Sequence, residues 1–113
     1  MARSSTTSDV FNALAEADRR AILSLLIVGE KPVGQIVMDL SMSQPQVSKH
    51  LRVLSQVGLV KSRPDGRHRL YRLEPQPLQP MRDWLAKFEQ AINSRLDRLD
   101  DYLQELQGQG DSQ

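Results

Sequence analysis

Residues 43–51 read Ser-Gln-Pro-Gln-Val-Ser-Lys-His-Leu. Two hydroxyls, two carboxamides, an ammonium and an imidazole lie within nine residues. Those groups supply the donors and acceptors that base edges and phosphate oxygens pair with. Wound at about 100° per residue, the segment sorts into two faces. Val47, Leu51 and Leu54, flanked by Val53 and Val57, form an apolar arc, and Pro45, Ser48, Lys49, Arg52 and Gln56 stand opposite, with Gln44 at the N-terminal margin. This assigns Gln44 to a base edge, Lys49 to a guanine edge or a phosphate, and Ser48 and Arg52 to phosphates that fix register. Gln46 falls nearer the apolar side and is assigned to helix capping. His50 also falls there and is read as a packed, hydrogen-bonded histidine, while His68, alone further on, is read as a surface residue.

The charge of the chain is segregated. Residues 1–40 hold four Lys/Arg against five Asp/Glu, residues 41–73 seven against one, and residues 74–113 four against eight. The formal total of +1 hides segments of −1, +6 and −4. A basic middle third is the footprint of a surface that meets phosphates, although a solvated basic face with no partner has the same composition. An acidic strip at helical spacing, Asp97, Asp100, Asp101 and Glu105, is read as solvated charge.

Other chemistries are disfavoured. The chain has no cysteine and only two histidines, so thiolate catalysis, disulfides and thiol-rich metal sites are excluded, and neither a metal nor a cofactor is expected. No nucleophile–base constellation, Gly-rich phosphate loop or paired carboxylates suggest an enzyme. No apolar run approaches the ~18–20 residues of a membrane span, and residues 1–9 lack the apolar stretch of a signal peptide, so a cytoplasmic location is expected.

Helical spacing of Val10, Phe11 and Leu14, and of Ile22, Leu23, Leu25 and Leu26, predicts helices over 9–15 and 17–28, with Glu16 or Asp18 at the start of the second and Gly29 ending it. Residues 33–40 form a short third helix and residues 44–57 a fourth. Ser43 and Gln46 match a capping box, Pro45 suits the first turn, and Gly58 supplies a left-handed stop with Leu59 making the accompanying apolar contact. Two short helices joined by a tight turn make a helix-turn-helix candidate. The period then changes: residues 59–63 and 68–73 read as strands around the turn "PDGR", a hairpin carrying Lys61, Arg63, Arg67, Arg69 and Arg72.

Beyond the prolines of "EPQPLQP", Leu78, Met81, Leu85, Phe88, Ile92, Leu96, Leu99, Leu103 and Leu106 recur at intervals of 3 and 4, a heptad-like seam with one stutter. A helix of about 30 residues is ~45 Å long, more than a small domain covers, so part of its stripe is expected to meet a second copy. The dimerisation set is Val10, Phe11, Leu78, Met81, Leu85, Phe88, Ile92, Leu96, Leu99 and Leu103. The division expected is a flexible 1–8, a DNA-binding domain over 9–74, a dimerisation helix over 75–107 and a disordered tail over 108–113.

Three blocks, "LAEADRRAIL" (14–23), "SQPQVSKHLRVLSQVGLV" (43–60) and "DGRHRLYRL" (65–73), resemble the ArsR family of winged-helix repressors in order and spacing. The resemblance implies a mainly α fold with a small β-hairpin: a winged helix-turn-helix that dimerises through a long C-terminal helix. It implies double-stranded operator DNA as partner, a fourth helix lying in the major groove, a hairpin wing, and an inducer of unknown identity. Gln44, Pro45, Ser48 and Lys49 match the DNA-reading end of the helix and Arg67 the wing tip; Arg52, Arg63 and Arg69 complete the expected DNA-binding set. Many relatives sense metals through cysteines on the third helix or through His/Asp ligands on the last. Here "VGQIVMDL" has no cysteine and residues 75–113 no histidine, so metal sensing is disfavoured. A dimeric winged-helix adaptor that does not read DNA is the alternative.

Overall fold

The structure, a computed structural model, describes the backbone of residues 6–111 and the side chains of residues 10–108. It divides into two compact units, one ending at Pro80 and one beginning at Met81. The first contains α1 (Thr6–Leu14), α2 (Ala17–Leu26), β1 (Lys31–Pro32), α3 (Val33–Leu40), α4 (Gln44–Gln56), β2 (Val60–Asp65), β3 (His68–Leu73) and a 3₁₀ turn (Gln76–Leu78). From Gln79 the chain is α5, which runs to Asp111.

The ends of α4 are closed by local chemistry. Ser43, in extended conformation, accepts from the Gln46 backbone N–H at 3.3 Å, and the Gln46 side chain accepts from the Ser43 N–H at 3.0 Å. Both partners of the capping box are in place, and Pro45 sits where its missing N–H costs nothing. At the other end Gly58 adopts φ +81°, letting its N–H reach the Ser55 carbonyl at 3.1 Å and the Leu59 N–H reach that of Leu54 at 3.0 Å. This is the Schellman arrangement, and it turns Leu59 into the core, where it is fully buried. The turn between α3 and α4 needs one left-handed residue as well, Ser41 at φ 54°.

Between those stops α4 buries Val47, Leu51 and Leu54. They join Val10 and Ala13 of α1, Ile22, Leu23 and Leu26 of α2, Ile36 of α3, and Leu59 and Val60 in one core. The sheet is antiparallel in the order β1-β3-β2, with Val60 opposite Leu73 and Asp65 opposite His68. Gly66 and Arg67 form a two-residue hairpin loop, with positive φ at Gly66 (62°) and not at Arg67, as a type II′ turn requires.

Several expectations are corrected. Strand β1 was not anticipated: two residues, paired through Lys31 to Tyr71 and Pro32 to Leu70, carry no period of their own. Proline is tolerated there because β1 is an edge. Helix α1 begins at Thr6, inside the stretch expected to be flexible, and α2 ends at Leu26, before Gly29. The predicted tail from residue 108 is helical through Asp111, and residues 112–113 lie outside those described. Val10 is fully buried within its own domain and is therefore removed from the dimerisation set, and Leu78 packs, half-buried, on the same core.

Two glycines should respond oppositely to alanine. Gly58→Ala forces a β-carbon into left-handed backbone and should lower stability by ~1–2 kcal/mol, whereas Gly34→Ala, in α3 with open space at the added carbon, should raise it by about 0.5–1 kcal/mol. Urea unfolding of the two variants checks both signs.

Candidate nucleic-acid interface

Because α4 buries one arc, its opposite arc is presented to solvent. Gln44, Pro45, Ser48, Lys49 and Arg52 are all exposed, as the helical spacing predicts. Gln46 is exposed too, not on the apolar side, and its carboxamide is committed to the cap.

The wing comes up beside the start of α4. Gln44 and Ser48 share a polar groove of about 480 Å³ with Arg67, His68, Arg69 and Tyr71, floored by Pro32, Val33 and Gly34. His68 is exposed, as its reading as a surface residue expected, and lines the groove, while Tyr71 had not been considered from sequence. The available signal was period two along β3, which sets Arg69 and Tyr71 on one face.

The hairpin cations divide by partner. Arg67 and, on α4, Lys49 and Arg52 have no hydrogen-bond or ion-pair partner among the described residues. Arg69 donates Nε to the Ser62 hydroxyl at 3.2 Å, and Arg72 donates Nε to Glu74 at 3.1 Å. Arg63 is held bidentately by Glu30, with Nε to Oε2 and NH2 to Oε1 each 2.9 Å. Its hydrogen bond to Glu30, aided by charge attraction, holds the Glu30 carboxyl below its ordinary 4.5 and raises the Arg63 guanidinium. Arg63, expected among the DNA ligands, is thus an anchor tying β2 to the residue before β1. Because Glu30's carboxyl is depressed in the folded chain, the pair's stabilisation is present above about 4.5 and is lost as pH falls below it. Both groups are solvent-accessible, so that stabilisation is screened and small.

Behind the presented face, Arg19 joins three helices. Its NH1 reaches the Asn12 and Ala13 carbonyls at 3.3 and 3.4 Å, its NH2 pairs with Glu16 at 3.0 Å, and its Nε points at His50 Nδ1, 3.4 Å away on α4. Arg20 NH1 meets the Leu14 and Ala15 carbonyls at 2.7 and 3.0 Å. Together they satisfy the carbonyls that α1 leaves open at its C-terminal end. Helix α2 itself starts at Glu16 without a side-chain cap. His50 Nδ1 also lies 3.6 Å from Glu16 Oε2, and its Nε2 faces Asp18 Oδ2 at 3.9 Å. His50 is therefore the packed histidine its position on the wheel predicts, its side chain 12% exposed. Among the described residues no three His, Asp or Glu side chains converge on a common point for a metal.

A core shared by α1 to α4, a helix-turn-helix with a capped second helix and a two-stranded wing at its shoulder define a winged helix-turn-helix. Residues 6–62 match the family profile of bacterial regulatory proteins of the arsR family. The HTH-type transcriptional regulator Rv2034 of Mycobacterium tuberculosis is 44% identical over 78 residues, spanning 69% of this chain and 73% of that protein. The transcriptional repressor SdpR of Bacillus subtilis is 32% identical over 81 residues, spanning 72% and 90%. Among solved structures, the homodimeric winged helix-turn-helix DNA-binding domain Mb0332 of Mycobacterium bovis superposes with a TM-score of 0.62 at 28% identity, covering 80% of this chain and 91% of that one. The chain belongs to the ArsR family: it is a winged-helix transcriptional regulator and not an enzyme. No described helix is long and apolar enough to cross a membrane.

The Glu30–Arg63 pair generates a prediction for the interface. Glu30→Gln removes a carboxylate from beside the wing and releases the Arg63 guanidinium. The slope of log affinity against log salt for a duplex should steepen by about one unit; an unchanged slope would show that Arg63 cannot reach a phosphate even when freed.

Proposed function

We propose that the protein is a homodimeric repressor of its own or a neighbouring operon, binding a palindromic operator with α4 in the major groove and the β2–β3 hairpin as wing. The supporting observation is the convergence of Gln44 and Ser48 with Arg67, His68 and Arg69 on one polar groove. That groove is positioned to take a length of sugar-phosphate backbone, so a single strand is gripped from the helix on one side and the wing on the other. In this reading Gln44 meets a base edge, its carboxamide suiting adenine, and Lys49 meets a guanine edge or a phosphate. Ser48, Arg52, Arg67 and Arg69 bind phosphates, His68 extends the wing contact, and Pro45 shapes the first turn that enters the groove. Two such units related by a two-fold axis would read half-sites ~34–36 Å apart. Phe11, half-exposed on α1, and the apolar stripe of α5 supply the contact between copies. An inducer of unassigned chemistry belongs to the reading through the family resemblance. The cytoplasm is where such a regulator works.

Gln44→Ala and Arg67→Ala separate the two kinds of contact. The first should cost ~1–3 kcal/mol at one base pair and relax preference there. The second should weaken all duplexes alike and flatten the salt slope by about one unit. Binding of operator variants selected from genomic fragments measures both. Absence of any salt-sensitive duplex binding would reject the DNA reading in favour of a protein adaptor.

A further inference from the structure

Away from the polar groove, one stripe of α2 is left open. Arg20, Leu23, Ser24 and Ile27 follow one another at helical spacing, and with Leu14 at the end of α1, Leu73 at the end of β3 and Leu78 in the 3₁₀ turn they line a second groove, of about 250 Å³. Its walls are aliphatic. Ile27 is 68% exposed beside it, a large apolar side chain left in water. A Leu/Ile/Phe-lined cavity of about 150 Å³ holds benzene, so this one has room for on the order of ten non-hydrogen atoms.

The two polar residues of the lining set the charge of the occupant. Arg20 NH1 is committed to the Leu14 and Ala15 carbonyls, 2.7 and 3.0 Å away, which pins the guanidinium against the end of α1. Its Nε and NH2 have no partner among the described residues, and neither has the Ser24 hydroxyl. Nε and NH2 form an edge that grips a carboxylate through two parallel hydrogen bonds. Because NH1 already holds the plane in place, little side-chain freedom is lost when that edge is used. No Asp or Glu lines the groove to offset the charge.

We infer that this groove is an effector site for a small organic carboxylate with an apolar body, the carboxylate on Arg20 Nε and NH2 beside Ser24 and the body on Leu23, Ile27, Leu73 and Leu78. A bare inorganic anion leaves the aliphatic walls wet. A hydrocarbon leaves the guanidinium edge unfilled, so a molecule carrying both parts is what answers the whole lining. Position supplies the effector role. Leu73 closes the β2–β3 ladder opposite Val60, which is 1% exposed in the core, and the next residue, Glu74, donates its N–H to the Leu59 carbonyl at 2.8 Å. An occupant pressing on Leu73 acts on the root of the wing. That role rests on the reading of the protein as a DNA-binding regulator with an inducer; occupancy of the groove does not.

Octanoate matches the groove in size and charge and is the probe, with octanol as its uncharged counterpart. On titration into methyl-labelled full-length protein, octanoate should shift the Leu14, Leu23, Ile27, Leu73 and Leu78 signals, with a dissociation constant on the order of 1 mM or below for a ligand so small. Octanol should bind at least ~10-fold more weakly. Arg20→Gln should weaken octanoate about tenfold and leave octanol unchanged. Ile27→Glu, at a position outside the core, should repel octanoate while the remaining methyl signals stay in place. Absent or scattered shifts overturn the site. Octanol binding as well as octanoate, or octanoate indifferent to both substitutions, overturns the carboxylate assignment. If the same signals move on dilution through a dimer–monomer transition without octanoate, a second copy covers the groove and the inference falls. For the effector role, saturating octanoate should change duplex affinity at least ~5-fold, and the duplex should change octanoate affinity by the same factor. Octanoate binding with duplex affinity unchanged overturns that role alone, whereas a chain that binds octanoate and no duplex overturns the DNA reading and the role with it.

Discussion

The structure depends on the burial of one arc of α4. Val47, Leu51 and Leu54 are at most 2% exposed against α1, α2 and α3, and each such side chain contributes ~1.5–3 kcal/mol relative to exposure. That attachment fixes the rotation of the helix about its axis. Once the rotation is set, Gln44, Ser48, Lys49 and Arg52 have no choice but to face outward. A helix that rotated by a single position would place a polar side chain in the core and an aliphatic one on the exposed face, so the same residues that stabilise the domain also aim the polar side chains of α4 outward. The capping box and the Schellman stop then fix where this aimed face begins and ends, and the Leu59 turn that the stop creates feeds directly into β2.

The wing is positioned by a different class of force. Its strands pair with each other over six residues, but their attachment to the body relies on Leu59 and Val60 in the core and on the edge strand β1. The Arg63–Glu30 pair adds a charged tie between the same two regions. An exposed ion pair contributes little stability, yet a bidentate one constrains orientation. Its effect is therefore on where the wing stands relative to α4, which is what determines the width of the polar groove between them.

What was legible in the sequence follows this division. The ends and the buried face of α4 are written in short-range chemistry: Ser43 three residues before Gln46, Gly58 after Val57, apolar residues at helical spacing. Each could be read because the partners lie within one or two turns. The features missed join residues far apart. Glu30 and Arg63 are 33 positions from each other and Arg19 and His50 are 31, and no local pattern announces either. Lys31 and Pro32 became a strand only because β3 offered an edge. Val10 was read as a dimer residue because helical spacing reports an apolar face without saying which surface covers it. At the C-terminal end, residues 108–113 were read as a disordered tail, but a glycine terminates a helix when it turns left-handed, and Gly108, inside α5, has no positive φ. Glycine weakens a helix by about 1 kcal/mol without ending it.

The segregation of charge sorts partners by sign. Seven cations on residues 41–73 attract phosphates, while the four added net negative charges beyond residue 73 repel them. A long apolar stripe flanked by cations would also bind nucleic acid and acidic lipid; flanked by carboxylates it is left to a protein. Asp97, Asp100, Asp101 and Glu105 thus give α5 a charge opposite to that of residues 41–73.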